Sequence, residues 1–162
     1  MTDAADTLML DTDVFNHVID GRVDPALFRG RRLIVVGVQA DEFTRCSDPG
    51  RTARLKEWFE QLAPVTVLAS AFMFDVEGAG LDQAYWSQDP DRVQAMYDRL
   101  AELDRDMCLK KRRKQKDPLN QWRDVAIADT AITRGAVLVT GDRALRQVVT
   151  EFGGRATSAN EL

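Results

Sequence analysis

The chain has 162 residues, 44% of them hydrophobic and 30% charged, with a formal net charge of −4. That length fits one domain with a sizeable core, and the composition excludes a disordered or fibrous chain. The negative balance argues against indiscriminate nucleic-acid binding by the whole surface, and no apolar run approaches the roughly 20 residues that span a bilayer.

The start, MTDAADTLML, is acidic and lacks the basic opening and small-residue cleavage site of a signal peptide, so a cytoplasmic protein is expected. Cys46 and Cys108 form at most one bridge, and with a single histidine they argue against a structural zinc site.

Thr7–Leu10 reads as a short apolar strand that ends in Asp11-Thr12-Asp13. Val14, Phe15, Val18 and Ile19 then recur at helical spacing, with Thr12 or Asp13 as the cap and Gly21 as the stop. A basic connector, Leu27–Arg32, leads to a fully buried type of strand, Leu33–Val36, and then to a helical stretch carrying Gln39, Asp41, Glu42 and Phe43. Asp48-Pro49-Gly50 marks a turn inside a loop, Cys46–Arg51, and Thr52–Leu62 is an amphipathic helix. Val65–Leu68 reads as a third strand or an extended link, Ala69–Asp75 has no clear pattern, and Gly78–Gly80 is a break.

Asp89-Pro90 starts a long helix with Val93, Met96, Tyr97, Leu100, Leu103 and Met107 as its buried stripe. It runs into Lys110-Lys111-Arg112-Arg113-Lys114-Gln115-Lys116, six cations in seven residues, closed by Asp117-Pro118. Asp124 is expected to open the next helix; Ala136–Val139 follow as a strand, Thr140-Gly141-Asp142 as a turn, and Ala144 to about Glu151 as a helix. The tail Arg155–Leu162 supplies a last edge strand. Short buried strands alternating with amphipathic helices predict one α/β domain over residues 1–162 with a mostly parallel sheet.

In such a layer Asp11, Glu42, Asp124 and Asp142 all project at the carboxyl edge of the sheet, where open α/β sheets bind ligands. Taken alone, Asp11, Asp124 and Asp142 read as readily as capping or solvated residues as site residues, and Glu42 reads as a solvated helix residue. Together they crowd one crevice, and carboxylates so placed repel unless a cation joins them. Asp129 lies five residues after Asp124, about 140° round the helix, and is expected to point away from it, either supporting the site from behind or in a structural role.

The LDTDVF opening, the acid in VVGVQADEF, the Asp124-x-x-Ile127-x-x-Thr130-Ala131 helix and the LVTGDR close resemble, in order and spacing, the PIN-domain ribonucleases. The resemblance covers nearly the whole chain. It implies a PIN-like three-layer fold with a twisted sheet flanked by helices, and Mg²⁺ or Mn²⁺ held by Asp11, Glu42, Asp124 and Asp142 for endonucleolytic RNA cleavage. Thr140 matches a position that the family often fills with a hydroxyl, which would orient water or phosphate. The chain departs from the family's pattern at Asp13, where Asn or Ser is frequent, and at Asp129, where Ala is common. Its segment from about 81 to 116 is longer and more basic than in compact VapC-type toxins. The resemblance also implies a cognate antitoxin and a homodimer as partners.

Lys110, Lys111, Arg112, Arg113, Lys114 and Lys116 read either as a guide for the RNA backbone or as a solvated charge run. Trp122 is expected to pack rather than stack a base, Trp58 and Trp86 to lie in the core, and His17 to serve at the surface or as a cap. DTDVF also resembles the opening of haloacid-dehalogenase-type phosphatases, with Asp11 as nucleophile and Asp13 as acid/base; against it, no acid follows the late Gly-Asp pair within Arg143–Gln147. A PIN-like module that binds RNA or protein without cutting is the non-enzymatic alternative.

Overall fold

Strand β1 (Leu8–Leu10) lies at the centre of the sheet, and all three of its residues are buried. In the computed structural model, which describes residues 6–44, 46–71, 73, 76, 79, 80 and 84–162, β1 pairs with β2 (Leu33–Val36) and with β4 (Val137–Val139). β3 (Val65–Val67) adds to β2 and β5 (Arg155–Thr157) to β4, giving the order β3-β2-β1-β4-β5 with every pairing parallel. Within α2 (Gly37–Thr44) the side chain at 42 is described and those at 40, 41, 43 and 44 are not.

Successive strand residues face opposite sides, so the sheet feeds two cores. Met9, Ile34, Val36 and Leu138 pack with α4 (Pro90–Lys111), α5 (Pro118–Thr133) and α6 (Arg143–Glu151). Leu8, Leu10, Leu33, Val35 and Val139 face the other way, against α1 (Thr12–Ile19) and α3 (Pro49–Leu62). The result is three layers, helices covering both faces of an α/β sheet. Truncating a wholly buried strand residue such as Leu10 to alanine costs about 2–5 kcal/mol.

Several boundaries differ from the sequence expectation. Helix α3 starts at Pro49, because the Asp48 carboxylate caps it through the Gly50 and Arg51 amides; the Asp-Pro-Gly turn is a helix start. Asp117-Pro118 does the same for α5, so Asp124 stands about two turns inside that helix and does not open it. Pro25–Phe28 forms a short 3₁₀ turn that takes in the first two residues of the basic connector. The long helix begins at Pro90 with Asp89 as cap, its expected apolar stripe is buried or half-buried, and it ends at Lys111. Residues 112–117 form a non-helical strap between α4 and α5. The tail does supply the edge strand β5. Parts of the unpatterned 69–75 stretch, Gly78 and the start of the basic segment at 81–83 lie outside the described residues.

The chain moves outward from β1 to β2 to β3, then returns to the other side of β1 as β4 and continues to β5. The direction of winding therefore reverses between β1 and β4, and loops leaving the carboxyl ends of these strands diverge and open a crevice there. The residues that follow those ends are Asp11 and Thr140-Gly141-Asp142.

Candidate active site at the carboxyl edge of the sheet

Asp11 is the N-cap of α1: its Oδ1 accepts from the Thr12 amide at 2.7 Å. The cap thus falls at Asp11, one residue before Thr12 and two before Asp13, which frees both of those side chains for the crevice. Asp142 caps α6 in the same way, its Oδ1 accepting from Ala144 N at 2.8 Å and Leu145 N at 3.1 Å. Each carboxylate spends one oxygen on a helix end and turns the other inward. Capping and membership of the site are compatible here.

Thr140 joins the two. Its hydroxyl donates to Asp11 Oδ2 at 2.6 Å and accepts from the Asp142 amide at 3.1 Å. The side chain is fully buried, and these two bonds tie the carboxylate of Asp11 and the amide of Asp142 to the end of β4. Gln39, also fully buried, accepts from Val36 N at 2.8 Å and donates to Leu10 O at 3.0 Å, tying the ends of β2 and β1 together. Nothing in its sequence context signalled that role.

Asp13 enters the site too. Its Oδ2 accepts from Gly141 N at 2.7 Å, and its Oδ1 is buried with no hydrogen-bond partner. A Cβ at residue 141 would stand 2.6 Å from Asp13 Oδ2 and 3.1 Å from His17 Cε1, so the Asp13 carboxylate would have to shift to admit a side chain. Glu42 reaches in from α2 and accepts from the Thr12 hydroxyl. Asp124, from the second turn of α5, accepts from the Lys116 ammonium at 2.9 Å through Oδ2. The same ammonium donates to Asp142 Oδ2 at 2.7 Å.

Asp11, Asp13, Glu42, Asp124 and Asp142 thus line one open cavity of about 510 Å³, together with His17 and Lys116. The four acids singled out in the sequence meet, Asp13 joins them, and His17 forms part of the wall.

Burial pushes Asp13 and Asp124 up to about 7, and the nearby carboxylates add to the effect. Asp11 is raised for the same reason, against the opposing hydrogen bonds from Thr140 and Thr12. Burial alone would raise Asp142 as well, but the Lys116 ammonium and two helix amides outweigh it and hold this carboxylate below its ordinary range. Burial would likewise lower Lys116, yet Asp124 and Asp142 outweigh it and hold the ammonium above the usual lysine range. The cluster is an anionic pocket with one ammonium at its centre.

The basic run divides. Lys110, Lys111, Arg112, Arg113 and Lys114 are exposed, whereas Lys116 is drawn into the acid cavity. Asp104, a buried acid of α4 with no distinguishing sequence signal, sets this geometry. It accepts from Lys116 N at 2.7 Å and from the Arg113 guanidinium at 2.8 Å.

Asp129 points away from the site, as its helical offset requires. It is 1% exposed, accepts from Arg92 and takes the Ser70 hydroxyl. Trp122 stacks on Tyr97 with centroids 4.0 Å apart, a packing contact between α5 and α4. Trp58 packs partly buried against the α1–α3 core. Trp86 is not in the core. It is 76% exposed, because it sits in the irregular stretch before α4, where no repeating face carries it inward. Cys46 and Cys108 are free thiols.

The donor set is all oxygen, the chemistry that Mg²⁺ and Mn²⁺ prefer, and the partnerless Asp13 Oδ1 adds a further acceptor. Among the described residues no three acidic, histidine or cysteine side chains stand ready as a metal cage. The cation that the acids meet in this arrangement is Lys116.

No protein-family model and no curated protein matches the sequence. Among solved structures the chain is similar to VapBC-1 from nontypeable Haemophilus influenzae, with a TM-score of 0.49 and 16% identity over 95% of this chain and 98% of that one. It is also similar to VapBC2 from Rickettsia felis bound to a promoter DNA fragment, with a TM-score of 0.46 and 12% identity over 94% and 98% of the two chains. A third similar structure is VapBC-5 from Mycobacterium tuberculosis, a member of the VapBC family of toxin–antitoxin systems, with a TM-score of 0.43 and 18% identity over 94% and 96%.

Proposed function

We propose that the chain is a PIN-type endoribonuclease that uses Mg²⁺ or Mn²⁺ to hydrolyse RNA phosphodiester bonds. The observation that carries this reading is the gathering of Asp11, Glu42, Asp124 and Asp142 from four separate elements into one cavity at the β1/β4 reversal. Asp11, Asp124 and Asp142 would hold the ion, with Glu42 in reach. When bound, the ion supplies a more acidic water and neutralises charge that develops on the phosphate.

The chain's own residues supply the rest. Thr140 fixes the relative orientation of Asp11 and Asp142 before substrate arrives. Asp13, with its Oδ2 on the Gly141 amide, adds a further carboxylate to the wall of the cavity. The exposed cations Lys110, Lys111, Arg112 and Lys114 lie on the segment just before the site and suit contacts to an RNA backbone. A narrower form of the proposal is that the chain is the toxin of a toxin–antitoxin pair, a homodimer held in check by a cognate antitoxin. It rests on the sequence resemblance.

The phosphatase alternative needs Asp11 as a nucleophile. Both oxygens of Asp11 are engaged, one by the Thr12 amide and the other by the Thr140 hydroxyl, and the residue is only 8% exposed. That disposition suits a fixed ligand better than an attacking group.

The test compares wild type and Asp11→Asn on a single-stranded RNA and on p-nitrophenyl phosphate, each with Mn²⁺ and with EDTA. The proposal predicts Mn²⁺-dependent internal cuts in the RNA by wild type alone. Turnover of the monoester with intact RNA would favour the phosphatase. Mn²⁺ binding with neither activity would favour a module that binds without cutting.

A further inference from the structure

The Lys116 ammonium donates to Asp124 Oδ2 and Asp142 Oδ2, carboxylates of two residues that would hold the proposed ion. Its placement is built. The strap 112–117 leaves α4 through Arg112, whose left-handed φ of 50° turns the chain back, and enters α5 through the Asp117 cap. Between these ends the buried Asp104 carboxylate holds both the Lys116 amide and the Arg113 guanidinium. The backbone at 116 is therefore clamped by a contact separate from the one its ammonium makes. The flexible four-carbon stem lets the ammonium leave while the clamp stays.

We infer that Lys116 is a built-in competitor for the cation position: the site holds either the Lys116 ammonium or a divalent ion at Asp124 and Asp142, and loading the ion expels the lysine into the cavity mouth. The inference rests on the proposed metal site. Two cations sharing one pair of carboxylate oxygens repel strongly in a partly buried pocket, so joint occupancy is disfavoured. Once expelled, the ammonium joins the exposed cations of the same strap, where a phosphate is its natural partner.

The first test is Mn²⁺ affinity of the full chain, measured calorimetrically for wild type and Lys116→Met. Removal of the competitor should tighten binding about tenfold or more. Unchanged or weaker binding in the variant would overturn the inference.

A second measurement needs no variant. Reductive methylation of wild type, read residue by residue by mass spectrometry, should label Lys116 several times faster with saturating Mg²⁺ than with EDTA, while Lys114 changes little. Equal or slower labelling of Lys116 in Mg²⁺ would also overturn it. If wild type and Lys116→Met both fail to bind Mn²⁺, the proposed function falls with the inference. If Mn²⁺ binds but neither Lys116 readout responds, only the inference falls.

Discussion

Asp11 and Thr140 lie 129 positions apart in the chain, yet the Thr140 hydroxyl donates to Asp11 Oδ2 at 2.6 Å in the buried floor of the crevice. The bond joins the ends of two neighbouring parallel strands and fixes one acid against the backbone amide of another. Thr140→Val keeps the volume but leaves Asp11 without this donor. A buried acceptor stripped of its partner costs about 1–3 kcal/mol, which urea unfolding would register. RNA cleavage should fall along with stability, and Thr140→Ser should restore most of both. A valine variant with wild-type stability and activity would remove Thr140 from the site.

Gly141 is constrained by close approach. Gly141→Ala would drive a methyl group against Asp13 Oδ2 and His17, so Asp13 must give up the Gly141 amide. We expect a loss of about 1–3 kcal/mol and a clear drop in cleavage. Gly153→Ala serves as a control: its strained φ of 82° costs stability at a glycine outside the acid cavity and should leave activity per folded molecule unchanged.

The acid cluster also sets a pH dependence for the metal-free protein. Asp13 and Asp124 stand at about 7 when folded, against an ordinary 3.8. Below pH 4 both are protonated in either state. Between pH 4 and 7 the unfolded chain ionises first and is favoured, so stability falls as pH rises and levels off above 7. Asp142 is held low and has the opposite sign, but its window lies below 3.8. Thermal unfolding in EDTA should give a Tm that drops by several degrees from pH 5 to 8, and Asp124→Asn should flatten the drop. A Tm that rises over this range would contradict the assignment.

Asp129 carries a different weight. It is buried against Arg92 and Ser70, and its loss would strand both partners. Asp129→Ala should cost about 3–5 kcal/mol of stability. Mn²⁺ affinity of the folded variant should match wild type, because the carboxylate is not among the cavity's lining residues. A selective loss of Mn²⁺ binding would place Asp129 in the site after all.

How far the sequence revealed this arrangement depended on whether a residue's place is set locally. Asp11 and Asp142 follow short apolar strands, and parallel pairing brings strand ends together, so their meeting was legible. Asp129 was legible by helical arithmetic from Asp124. The start of α5 is hidden in the sequence, because Asp117-Pro118 looks like the close of a basic run and is also a helix cap. Lys116 and Asp104 were not legible. Their meeting depends on a turn at Arg112 and a strap folded back across α4, features with no periodic signature. Gln39 and Trp86 failed for a related reason: one is a polar residue buried by two strand ends, the other an aromatic residue in a segment without a face.

The central claim is that these carboxylates act together on RNA through a divalent ion. The most direct measurement is single-turnover cleavage of an end-labelled RNA by wild type, Asp124→Asn and Asp142→Asn, with Mn²⁺ and with EDTA. The account predicts internal cuts by wild type in Mn²⁺, a loss of at least about a hundredfold in each variant (roughly 3 kcal/mol of transition-state stabilisation), and none in EDTA. Cleavage that survives EDTA, or proceeds equally in the variants, would contradict it.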